Sequence, residues 1–142
     1  MTRTLLSVAF VLAAGGIAAA DDATKDLKKL VGTWEEVSQT ADGKELPADA
    51  IKGSTVVIDA AGKWEALKDG TVFLKGSVKL DPSKSPRAAD WSIDGSDMAA
   101  LGIYAVDGDT WKHCFALGKR PTEFGSKEGS GVTYIVLKRV KK

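Results

Sequence analysis

The chain has 142 residues, of which 44% are hydrophobic and 27% charged, with 20 basic against 19 acidic side chains and a formal charge of +1. Such usage fits one globular domain and excludes a disordered or low-complexity chain. The balanced charge, relieved only by Lys138, Arg139, Lys141 and Lys142 near the end, leaves no electrostatic footprint for nucleic acid or an anionic membrane.

Residues 1–20 read as a secretory signal peptide. Arg3 supplies the positive start, Leu5 to Ala14 the apolar run, Gly15 and Gly16 the break, and Ala18-Ala19-Ala20 the small side chains a signal peptidase needs before Asp21. The apolar run is shorter than the about 20 residues of a spanning helix. The expectation is therefore a protein exported to the periplasm or beyond the cell, with no membrane span once the signal is cleaved. Residues 21–142 form its single domain. Cys114 is the only cysteine, which rules out an intramolecular disulfide and predicts a buried thiol in an oxidising compartment.

Asp22 to Leu30 predicts a short helix, capped by Asp22 and apolar along Leu27, Leu30 and Val31, lying across one end of the domain. From Gly32 onward the pattern is strands and turns. Asp-Gly pairs at 42–43, 69–70, 94–95 and 107–108 mark tight turns. Between the turns lie eight β-prone runs: Thr33–Thr40, Ser54–Asp59, Lys63–Lys68, Thr71–Leu80, Ala88–Ile93, Gly102–Val106, Thr110–Leu117 and Val132–Val140. Eight short strands joined mostly by hairpins predict an all-β, up-and-down antiparallel barrel. Leu46 to Ile51 predicts one helical turn with Pro47 early in it, and Asp81 to Pro86 a proline-punctuated loop. Alternation puts Trp111, His113, Phe115 and Leu117 on one face of their strand and Lys112, Cys114 and Ala116 on the other; it likewise groups Ile135, Leu137 and Arg139.

Gly32-Thr33-Trp34 after a short helix resembles the first-strand motif of the lipocalin-like superfamily, and Arg139 resembles the arginine that closes over that tryptophan. This resemblance implies a barrel closed by a cation–π contact between Trp34 and Arg139. Over nearly the whole mature chain the sequence is also similar to an exported domain family multiplied in planctomycete genomes. The residues that carry this are Leu30-Val31-Gly32-Thr33-Trp34, Asp42-Gly43-Lys44, Lys79-Leu80-Asp81-Pro82-Ser83-Lys84, Leu101-Gly102-Ile103-Tyr104, Asp107-Gly108-Asp109-Thr110, Cys114-Phe115-Ala116, Arg120-Pro121-Thr122-Glu123-Phe124 and Gly129-Ser130-Gly131-Val132. It implies fold and export, and carries over no catalytic residue.

No motif predicts an enzyme, a cofactor or a metal site. His113 is the only histidine, and it shares its strand with Cys114 on the opposite face, so the two cannot chelate one ion together. Glu35 and Glu36 point to opposite faces and cannot act as a pair from one strand. Arg120 and Glu123 are close enough in sequence to pair locally. The aromatic residues permit either a filled core or a ligand-sized cavity, because a barrel of about eight strands accommodates one or the other. The candidate ligand-lining residues are Trp34, Tyr104, Trp111, His113 and Phe115, with Trp34 and Arg139 as the barrel closure. The leading expectation is a monomer that binds a small apolar or amphipathic ligand. The alternative is a structural or protein-interaction module of the cell envelope with a packed lumen.

Overall fold

The computed structural model describes residues 21–141. The signal-peptide reading of residues 1–20 lies outside the described residues. Helix α1 covers 21–30, and the strands follow as β1 (Gly32–Ala41), β2 (Lys44–Glu45), β3 (Ser54–Ile58), β4 (Lys63–Lys68), β5 (Thr71–Asp81), β6 (Ala88–Ile93), β7 (Ala99–Asp107), β8 (Thr110–Leu117) and β9 (Thr133–Arg139), with the helical turn α2 (Ala48–Ile51) after β2. Neighbours pair in sequence order from β3 to β9, all antiparallel, and β1 pairs with both β3 and β9. The result is a closed eight-stranded up-and-down barrel to which β2 adds a short hairpin on β1.

Turn chemistry accounts for the hairpins. At 42–43 and 69–70 both the aspartate and the glycine adopt positive φ, the backbone that a two-residue turn between twisted strands requires. Two strands depart from simple alternation. β1 shifts register between Glu36 and Ser38, which leaves Val37 facing outward and turns Gln39 toward the lumen. β5 carries an unpaired Phe73 between Val72 and Leu74, opposite the consecutive residues Ala66 and Leu67. Each is a β-bulge, which bends its strand and re-aims the neighbouring side chains.

The core lies at the end of the barrel covered by α1. Leu30, Trp34, Ile58, Trp64, Trp91, Tyr104, Trp111 and Leu137 are buried together there, and Leu27 packs onto them from the helix. Tryptophans link into a chain, Trp34 to Trp111 to Trp91 to Trp64, with ring centroids 5.6–5.8 Å apart. Gly76 makes room for it: a Cβ there would lie 3.0 Å from the Trp64 ring and 1.8 Å from the Ser92 carbonyl. On the outer face of β8, Cys114 is fully buried, its Sγ near the carbonyls of Gly125 and Glu123 in the 118–132 loop. Within that loop Arg120 does not pair with Glu123. Its guanidinium instead bonds the Asp90 carboxylate at 2.6 Å and the Gly102 carbonyl at 2.8 Å, while Glu123 pairs with Lys127.

Candidate functional site

Two ends of the barrel differ in what their polar groups have to bond to. At the helix-covered end Trp34, Arg139, Asp26 and Tyr104 bond to one another or to the backbone of α1 and its neighbours. Trp34 Nε1 donates to the Leu30 carbonyl at 2.8 Å, and Arg139 lies over the Trp34 ring while donating to the carbonyls of Val31 and Lys29 at the C-terminus of α1. A cation at that position suits the negative end of the helix. Asp26, on the buried side of α1, accepts from Tyr104 Oη and from Arg87 Nη1, each at 2.6 Å. Burial works against ionisation of Asp26, but the two hydrogen bonds, with the charges of Arg87 and Lys29, outweigh it and hold the carboxyl below its ordinary range. A broad depression of about 570 Å³ lies beside this latch, against the Pro82–Arg87 loop, but its main polar groups, Asp26, Arg87 and Tyr104, already satisfy one another.

The rest of the lumen is a cavity of about 310 Å³ reaching toward the opposite end. That volume is at the lower edge of those that hold small ligands. Its floor is indole: Trp64, Trp91 and Trp111. Above them His113 and Phe115 stack with centroids 4.7 Å apart, so β8 presents Trp111, His113 and Phe115 in one inward file. Val56, Ala66, Leu67, Ile93 and Ile135 supply apolar wall, and Phe73 and Leu74 from the β5 bulge reach the rim, where Phe73 is 63% exposed.

Four buried side-chain atoms among the described residues have no hydrogen-bond partner: Glu36 Oε1, Trp91 Nε1, Trp111 Nε1 and His113 Nδ1. All four belong to residues that line this one cavity. Orphaned buried polar atoms are costly and uncommon, so their concentration on one void is informative. Burial alone pushes Glu36 up to about 7, only partly offset by the Lys68 charge, and pushes His113 down to about 3. At neutral pH the imidazole is thus uncharged, and its Nδ1 finds no hydrogen-bond partner among the described residues.

Of the residues singled out from sequence, Trp111, His113 and Phe115 meet in the cavity. Trp34 does not line it; it is sealed beneath Trp111 as the closure partner of Arg139, 4.3 Å from ring centroid to guanidinium carbon. Tyr104 is likewise absent from the cavity wall, its hydroxyl being committed to Asp26. Glu36 was not singled out as lining. The signal was present, since Glu36 stands two residues after the inward Trp34 and so shares its face. Among the described residues no group of three or more His, Cys, Asp and Glu side chains stands close enough to share a metal ion. Comparison with protein-family models, with curated proteins and with solved structures finds no match.

Proposed function

We propose that this is an exported, non-enzymatic, lipocalin-like barrel whose lumen binds one small amphipathic molecule. The observation that carries the reading is the coincidence of the four orphaned polar atoms with a single aromatic-walled void. Apolar walls favour an apolar body, and unpaired donors and acceptors among them favour a ligand with polar atoms of its own. A packed lumen, the feature of the structural-module alternative, fits poorly with about 310 Å³ of interior space. Export rests on the pattern of residues 1–20 and accords with a lone, sealed cysteine.

Native mass spectrometry of protein purified from its own host tests both parts. The expected species is a monomer beginning at Asp21, carrying one small molecule that an Ala66→Phe variant, with its lumen filled, no longer retains. A mature chain still bearing residues 1–20 overturns cleaved export. A bare chain that also takes up no apolar or amphipathic probe overturns lumen binding.

A further inference from the structure

The charge of the lumen is set by very few groups. Glu36 and His113 are the titratable side chains that line it. Lys68, on β4, is the charged neighbour that Glu36 feels, but its ammonium is engaged by the carbonyls of Ala50 and Lys52 at the end of α2. Among the described residues no basic side chain forms an ion pair with Glu36, and Glu36 Oε1 is buried without a donor. The lining therefore offers a carboxylate without a bonded partner and no basic side chain. An anionic head group, such as a fatty-acid carboxylate, would find no lining cation to pair with and would share the void with Glu36.

Trp64, Trp91 and Trp111 line the same void. Register runs from Trp111 on β8 to Leu137 on β9 to Glu36 on β1, so two strand spacings, about 10 Å, separate the two backbones. Both side chains reach into the space between. Trp91 stacks on Trp111, with Trp64 edge-on to Trp91. A desolvated carboxylate on a void whose lining carries no basic side chain is an arrangement that suits an organic ammonium, because the carboxylate balances its charge and the apolar aromatic wall takes its body. We infer that the ligand of this lumen is a small organic cation, an amine or quaternary ammonium, with its charged nitrogen at Glu36 and its apolar body against the aromatic wall. An acceptor atom on the same molecule would satisfy the two indole N–H groups.

This inference rests on the lumen-binding reading and is tested separately from it by three probes of one size and three charges: phenethylamine, 2-phenylethanol and phenylacetate. In calorimetric titration at pH 8 the amine binds at least tenfold more tightly than the alcohol, and the acid does not bind. Glu36→Gln cuts the preference for the amine over the alcohol to under threefold. Since Glu36 must be ionised to hold the cation, amine affinity rises about tenfold per pH unit toward about 7 and then levels off, with proton release, and the glutamine variant shows no such rise. Alcohol or acid binding as tightly as the amine, or a preference for the amine that survives Glu36→Gln, overturns the cation assignment and leaves lumen binding standing. Failure of all three probes to bind overturns both.

Discussion

The guanidinium carbon of Arg139 lies 4.3 Å from the centroid of the Trp34 ring, while its Nη1 donates to the Val31 carbonyl at 2.8 Å. One side chain from the last strand thus holds the first strand and the end of α1. Arg139→Ala is expected to lower stability by about 2–4 kcal/mol, from the lost cation–π contact and the charged hydrogen bonds together. Arg139→Lys should recover less than half, because an ammonium cannot span ring and carbonyls with a planar fork. Chemical denaturation of the three proteins checks this; equal midpoints for wild type and Arg139→Lys would show that the fork is immaterial.

Gly32 sits under that fork with φ +130°, and a Cβ there would stand 3.0 Å from Arg139 Nη1. The glycine that opens the Gly-Thr-Trp segment is required twice, by backbone and by space. Gly32→Ala is predicted to cost about 1–3 kcal/mol. Combined with Arg139→Ala, its penalty should shrink, since the crowding partner is gone; strictly additive losses in a double-mutant cycle would count against the contact.

Asp26 gives the helix latch an acid limit. Its carboxyl is held below the ordinary 3.8, so the unfolded chain takes up the proton first as pH falls. The stabilisation is complete above the ordinary value and is lost as pH drops through the lowered one. Asp26→Asn should cost about 1.5–3 kcal/mol at pH 7, and the difference from wild type should narrow below pH 4. Thermal melts at pH 7 and pH 3 read this directly, and a gap of constant size would remove the carboxylate from the explanation.

Glu36 and His113 bend the pH profile in opposite senses. Glu36 is raised from 4.5 to about 7, so the folded state holds the extra proton between those values and stability falls as pH rises. His113 is lowered from 6.5 to about 3, so the unfolded state holds the extra proton there and stability rises with pH. Where the two windows overlap, the slopes, each up to about 1.4 kcal/mol per pH unit, oppose each other and the profile is flat. Glu36→Gln should restore an upward slope through pH 5–6, and His113→Phe a downward one. Urea titrations at half-unit steps test both, and two unchanged profiles would refute the burial-driven shifts.

The last strand is inseparable from the rest. β9 lies between β8 and β1 and completes the ring. A chain ending at Gly131 should show no cooperative unfolding transition, since it would leave β1 and β8 as unpaired edges and uncover Trp34 and Trp111. A cooperative melt of that fragment would mean that closure is not required.

Much of this was legible in advance because the barrel is built from local signals. Each of the eight predicted runs overlaps a barrel strand, and the Asp-Gly pairs at 42–43 and 69–70 form the turns their chemistry demands. The inward file Trp111, His113, Phe115 follows from plain alternation on a strand without a bulge. Bulges are where reading failed: Gln39 faces the lumen because one residue is inserted at Val37, which no period of two foresees. β7 begins at Ala99, before the expected Gly102, because its early residues are recruited by β6. The partnership of Asp26 with Tyr104 spans 78 positions and depends on where the helix comes to rest. That contact drew Tyr104 away from the cavity to which its aromatic character had assigned it.

All four tryptophans of the chain belong to the one interior cluster, three of them lining the void and the fourth directly beneath. No indole on the outer surface dilutes their signal. Tryptophan fluorescence of this protein is therefore a report from the interior cluster alone, and any occupant that touches Trp91 or Trp111 will change that emission without a label being attached.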